Sequence, residues 1–230
     1  MNMKKKGKQI VKDVVFLSVT AIITALCVML TVFIYDYVRE ANKLKLTAAE
    51  STESVVSEPE EITTEKLSAI TVPDYVEVSL LKVGKARSGE KLESVKSIVI
   101  HYTGNPGTTA AQNRNYFGLA ETAVCSHFIV GLDGEIIQCV PLDERSAASN
   151  ERNIDTISIE VCHPEEDGKF NDATYQSVVK LTAWLCEAIG LTEADLIRHH
   201  DITGKDCPKY FVDNPDEWDV FKSDVGALLS

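Results

Sequence analysis

The apolar positions of this chain fall into three patterns: one uninterrupted run, several short strand-like stretches and two helical stripes. From Val14 to Tyr35 no charged residue occurs in 22 positions, and a helix rising about 1.5 Å per residue would span a hydrocarbon core of roughly 30 Å over that length. The run predicts a transmembrane helix, because a buried core helix of this length would keep a polar face. It is longer than the roughly 7 to 15 apolar residues of a cleavable signal peptide, and it ends in Ile34-Tyr35-Asp36-Tyr37 without a small-residue site. An uncleaved signal anchor is expected. Cys27 lies inside the run after Leu26 and reads as a small apolar helix residue.

Behind the anchor the apolar signal disappears. The stretch AESTESVVSEPEEITTEK (49–66) has the composition of a solvated, self-repelling linker, and the reading assigns 36–71 to it. Patterning resumes near Val72 and continues through residue 230 without an internal repeat, which predicts one domain. SIVIHYTG (97–104) reads as a buried strand, and Thr108 is placed to cap a helix carrying Tyr116, Phe117 and Leu119. CSHFIV and EIIQCV flank Gly131-Leu132-Asp133-Gly134 and read as a hairpin. A four-residue turn there sets Ser126 opposite Cys139 and sends Cys125 and Cys139 to opposite faces. TISIEV (156–161) is a further strand. Tyr175, Val178, Val179, Thr182, Leu185 and Ile189 follow helical spacing up to Gly190, DLIRH forms a short strand, and Trp218, Phe221, Val225 and Leu228 mark a last helix. The expected class is α/β, a mixed and partly parallel central sheet flanked by helices and preceded by one transmembrane helix.

Charge narrows the partners. Lys4, Lys5, Lys6, Lys8 and Lys12 precede the apolar run with no acid among them, and removing that +5 from the chain's −12 leaves −17 on residues 13–230. A nucleic-acid partner is excluded on that balance. The lysines place residues 1–13 in the cytoplasm by the positive-inside tendency. That makes a single-pass protein of the cell membrane with its domain extracytoplasmic.

The densest chemistry is RHHDITGKDCP (198–208). A hydrolytic zinc site needs three protein ligands from His, Cys or carboxylates and an open fourth position. His101, at a strand end, is one candidate. His199 and Cys207 stand on either side of Thr203-Gly204, a turn able to bring both to one point, and a Cys thiolate is a strong zinc ligand. Neighbours on a strand point to opposite faces, so His199 and His200 do not both serve, and spacing alone leaves the choice open.

IVIHYTGNPGT, SIEVC and RHHDITGKDCP, in this order and spacing, resemble the zinc-dependent N-acetylmuramoyl-L-alanine amidases of the type 2 class, which share a fold with peptidoglycan recognition proteins. The resemblance covers roughly residues 73–212. It selects His199, leaving His200 at a variable position, and implies Zn2+ held by His101, His199 and Cys207. It also implies that Glu160 is the carboxylate that handles the proton of the attacking water and that Lys205 helps stabilise the transition state. Where some members place a tyrosine at the start of the hairpin strand, the matching position is Ser126. Many members have a histidine where this chain has Ala147, within RSAAS (145–149), a departure that touches substrate contacts.

The implied activity is hydrolysis of the amide between the lactyl group of N-acetylmuramic acid and L-alanine of the stem peptide in bacterial peptidoglycan. The implied role is cell-wall turnover or remodelling by a membrane-tethered enzyme. The competing expectation is a non-catalytic, membrane-anchored module that recognises muropeptides. His127 reads as a hydrogen-bonded structural residue, and His163 and His200 as surface or supporting groups. Cys125, Cys139, Cys162 and Cys186 are expected as buried free thiols, although an extracellular location permits disulfides.

Overall fold

In the computed structural model the described residues are 29–40 and 62–229. Residues Met1–Glu58 and Pro59–Ser230 form separate compact units. In the first, residues 29–40 form a helix, α1, exposed along its length. Most of the span expected over 14–35, and residues 1–13 before it, lie outside the described residues. Among the described residues no helix is long and apolar enough to cross a membrane.

In the second unit one six-stranded sheet carries the architecture. Its strands are β1 (Val76–Val78), β2 (Ser97–Tyr102), β3 (Phe128–Val130), β4 (Ile136–Gln138), β5 (Thr156–Val161) and β6 (Leu196–Arg198), in the order β1-β4-β3-β5-β2-β6. Only β3 and β4 run antiparallel; the other four pairings are parallel. The expected mixed, partly parallel sheet is what forms. Central strands buried on both faces read as apolar runs, and SIVI and TISI are such runs.

Strand alternation divides the core. Ile98, Ile100, Phe128, Val130, Ile157, Ile159 and Val161 face one layer of helices. These include α4 (Asp172–Ile189), α6 (Lys209–Asp213) and α7 (Pro215–Gly226). Ile129, Ile137 and Cys139 face the other side, where Ala110 and Phe117 of α3 (Ala110–Phe117) cover them. That second face also carries His101 and Glu160, which alternate with Ile100 and Ile159.

Several local expectations change. The folded unit includes α2 (Thr64–Ala69), N-terminal to Val72, where the composition put the boundary. Its Leu67 is buried in the core, and Ile62, Ile70 and Val72 pack against the same core cluster, so a few apolar residues among acids sufficed for a helix that docks. Thr109, not Thr108, caps α3. Its Oγ1 accepts from Gln112 N at 3.2 Å, and Gln112 Oε1 accepts from Thr109 N at 2.9 Å, the reciprocal bonds of a capping box. Thr108 Oγ1 instead donates to Asn105 O. Leu119 falls beyond α3, and Leu228 lies past α7 and is exposed.

The hairpin is one residue out of the expected register. Phe128 pairs with Gln138 and Val130 with Ile136, and Gly131 N donates to Glu135 O at 2.8 Å. The loop is therefore three residues, Leu132 to Gly134, with Gly134 at φ 81° in the left-handed position such loops require. The shift puts Cys125 and Cys139 in the same apolar cluster rather than on opposite faces. Among the described residues Cys125, Cys139, Cys162, Cys186 and Cys207 are all buried and free.

Candidate active site

Parallel pairing of β2 and β5 sets His101 beside Glu160 in register, so both side chains leave the sheet on one face. His101 is buried, while Glu160 is half-buried at the strand end. The third segment arrives from β6, which stops at Arg198 and passes directly into α5 (His199–Thr203). Asp201 secures that start by accepting from Arg198 N at 2.8 Å and from the Arg198 guanidinium at 2.7 Å. His199 and His200 are thus successive residues of a helix rather than of a strand. They still diverge: His199 turns inward and is buried, whereas His200 Nδ1 lies 3.0 Å from Lys205 O. Gly204, at φ 75°, closes α5 in the left-handed conformation, and the chain doubles back to bring in Cys207, whose carbonyl accepts from His200 N at 2.8 Å.

One ligand atom from each of His101, His199 and Cys207 lies within 4.8 Å of the others. Cys207 Sγ is 3.8 Å from His101 Nδ1, and the two imidazoles meet edge to face with centroids 4.7 Å apart. The three border a cleft of about 630 Å³ that Glu160, Lys205, Tyr102, Thr103, Asn150 and Asn153 also line. Burial holds His101 well below the ordinary imidazole range, and the neighbouring His199 and Lys205 add to the effect. His199 is lowered by burial and then by Lys205. Both rings are therefore neutral electron-pair donors at neutral pH. Burial, reinforced by Glu160, pushes the Cys207 thiol up to about 12. Two neutral imidazoles and one thiol converging on a point form a donor set that suits zinc. A cation there would displace the thiol proton.

Glu160 Oε2 is enclosed without a hydrogen-bond partner. Burial raises its carboxyl to about 8, with the Lys205 charge pulling the other way. Lys205 lines the cleft and is exposed.

The strap formed by residues 143–150 closes one side. Arg87 binds Glu144 through two nitrogens at 2.6 and 2.8 Å, and Lys91 pairs with Asp143 at 2.6 Å. Buried His127 supports the strap from beneath: its Nδ1 accepts from Ser158 N at 3.0 Å, and its Nε2 donates to Glu144 O at 2.9 Å. The structural reading of His127 holds. His163 is buried, not at the surface, with Nδ1 2.7 Å from Glu165 O. Ser126 does not reach the cleft: it is buried, and its hydroxyl donates to Phe128 O at 2.7 Å, while Cys125 takes the lining position. Ala147 lines the cleft and pairs through its backbone with Cys125. Sequence reasoning passed over Ser149, Asn150 and Asn153. Their only signal was a run of turn-forming residues.

Residues 91–210 match the N-acetylmuramoyl-L-alanine amidase family (Amidase_2), and the chain belongs to that family. Among curated relatives, the N-acetylmuramoyl-L-alanine amidase BlyA of Bacillus subtilis (strain 168) is 34% identical over 174 residues, covering 66% of this chain and 47% of BlyA. The N-acetylmuramoyl-L-alanine amidase CwlL of Bacillus licheniformis is 32% identical over 160 residues, covering 62% and 44%. The chain spans about half the length of these curated relatives. Among solved structures, the catalytic domain of XlyA is similar with a TM-score of 0.58 and 28% identity, covering 66% of this chain and 99% of that domain.

Proposed function

We propose that this protein is a zinc-dependent peptidoglycan amidase, tethered to the cell membrane by its N-terminal apolar run with the catalytic domain outside. It hydrolyses the amide between the lactyl group of N-acetylmuramic acid and L-alanine of the stem peptide, in cell-wall turnover or remodelling. The observation that carries this reading is the convergence of His101, His199 and Cys207 beside a partnerless carboxylate in one cleft. His101, His199 and Cys207 hold the ion, and zinc, when bound, supplies Lewis-acid polarisation of the scissile carbonyl.

The chain's own groups supply the rest. Glu160 Oε2 accepts the proton of the attacking water and passes it to the departing amine of L-alanine. A carboxyl raised to about 8 is matched to taking and returning a proton near neutral pH. Lys205, two residues before the thiol, brings a positive charge to the cleft edge to balance the negative charge on the tetrahedral oxygen. The family membership and the names of the relatives support the substrate class.

The test incubates the full chain and its Glu160→Ala variant with purified peptidoglycan, with zinc or with a chelator, and identifies released fragments by mass spectrometry. Stem peptides beginning at L-alanine are expected only with zinc and Glu160. Intact wall carrying tightly bound protein would replace the enzyme with the muropeptide-recognition module, the reading that Ala147 favours.

A further inference from the structure

Two consecutive side chains engage the far nitrogens of both histidines. Ser149 Oγ lies 3.4 Å from His101 Nε2, and Asn150 Oδ1 lies 3.0 Å from His199 Nε2. An amide oxygen only accepts, so His199 carries its proton on Nε2 and leaves the Nδ1 lone pair free. His101 Nδ1 faces Cys207 Sγ. A ring donating an electron pair from that nitrogen carries its proton on Nε2, directed at Ser149 Oγ.

The backbone around this pair is arranged for the purpose. Ser149 occupies the N-cap of the 3-10 turn Asn150–Ile154, where a serine hydroxyl ordinarily accepts from a first-turn N–H, yet it makes no such capping bond. The hydroxyl is fully buried and turned to His101 instead. Asn150 sits at φ 52°, the only non-glycine at positive φ among the described residues, a conformation asparagine tolerates better than most side chains. Asn153 Oδ1 pins the turn by accepting from Ala148 N at 3.1 Å and Ser149 N at 2.7 Å.

We infer that Ser149 and Asn150 are positioning residues that fix the tautomer and ring orientation of His101 and His199, and thereby set the affinity of the three-residue site for Zn2+. The inference rests on the reading of His101, His199 and Cys207 as metal ligands. Partners of this kind orient ligating imidazoles and make them more basic, and losing one costs about 10- to 100-fold in metal affinity.

The experiment measures the zinc affinity of the full chain by competition with a chromophoric chelator, together with the visible absorption of the Co2+-substituted protein. Ser149→Ala and Asn150→Gly are expected to weaken zinc by about 10- to 100-fold and to alter the cobalt spectrum. Glycine accepts the positive φ, so Asn150→Gly removes the side chain while keeping the turn. Asn150→Asp retains an acceptor oxygen and is expected to restore affinity. Wild-type affinity in both Ser149→Ala and Asn150→Gly overturns the inference, as does a loss in Asn150→Gly that Asn150→Asp fails to restore. If the wild-type chain does not compete for zinc at all, the metal site itself falls. If it competes and the variants match it, only the positioning role falls.

Discussion

Glu160 shows most plainly how burial of a single carboxyl bears on stability. Its carboxyl is raised from the ordinary 4.5 to about 8 by burial. The unfolded chain therefore releases this proton above pH 4.5 while the native chain retains it. Its contribution to stability is full below pH 4.5 and is lost as pH rises toward 8. Glu160→Gln is expected to stabilise the metal-free chain by roughly 2 to 3 kcal/mol at pH 8 after allowance for partial exposure, and to change nothing at pH 4. Denaturant unfolding at the two pH values checks this, and equal stabilities at pH 8 would refute it. His127 shifts in the opposite direction: burial lowers it from 6.5 to about 4, although the bond to Glu144 opposes the effect. Between those values the unfolded chain binds a proton that the native chain refuses, so stability falls as pH falls, by up to about 3 kcal/mol from this ring. NMR should find His127 in the Nε2–H form and untitrated down to about pH 5. A midpoint near 6.5 would show that the ring is hydrated.

Elements control the site through where they stop. Gly204 ends α5 at φ 75° and Gly190 ends α4 at φ 74°, and a Cβ at either would meet nothing within 4 Å. Alanine at each position therefore costs only backbone strain, about 1 to 2 kcal/mol. Gly204→Ala is expected to weaken zinc binding as well, because that turn carries Cys207 back to His199. Gly190→Ala should lose similar stability with zinc affinity unchanged, and thermal unfolding with zinc titration of both variants checks the contrast. At this scale the sequence was largely legible. The apolar runs of β2 and β5 and the stripe of α4 were readable because their periods come directly from backbone geometry. The hairpin register was not, since it depends on whether Val130 or Gly131 closes the loop against Glu135, a one-residue choice that reverses which side chains of the two strands share a face.

At the scale of the whole molecule, the lysines before residue 13 and the uncharged span 14–35 lead to a prediction about location. The full chain should fractionate with membranes and be open to protease added outside intact cells, and removal of residues 1–35 should transfer it to the soluble fraction. Recovery of the full chain from the cytosol would remove the tether from the proposal.

By itself the sequence determined the element types, the mixed sheet and the donor chemistry, because strand and helix periods and the identities of His101, His199, Cys207, Glu160 and Lys205 are local properties of the chain. Even so, the choice of His199 over His200 came from resemblance. Its physical cause is tertiary: the strand ends at Arg198, and the helix that follows turns one histidine inward and the other toward Lys205 O. Only the fold could decide that Ser149 and Asn150, about fifty residues from either histidine, complete the site, because nothing in a serine followed by an asparagine distinguishes a turn from a support until the strap is fastened across the cleft by Arg87, Lys91 and His127.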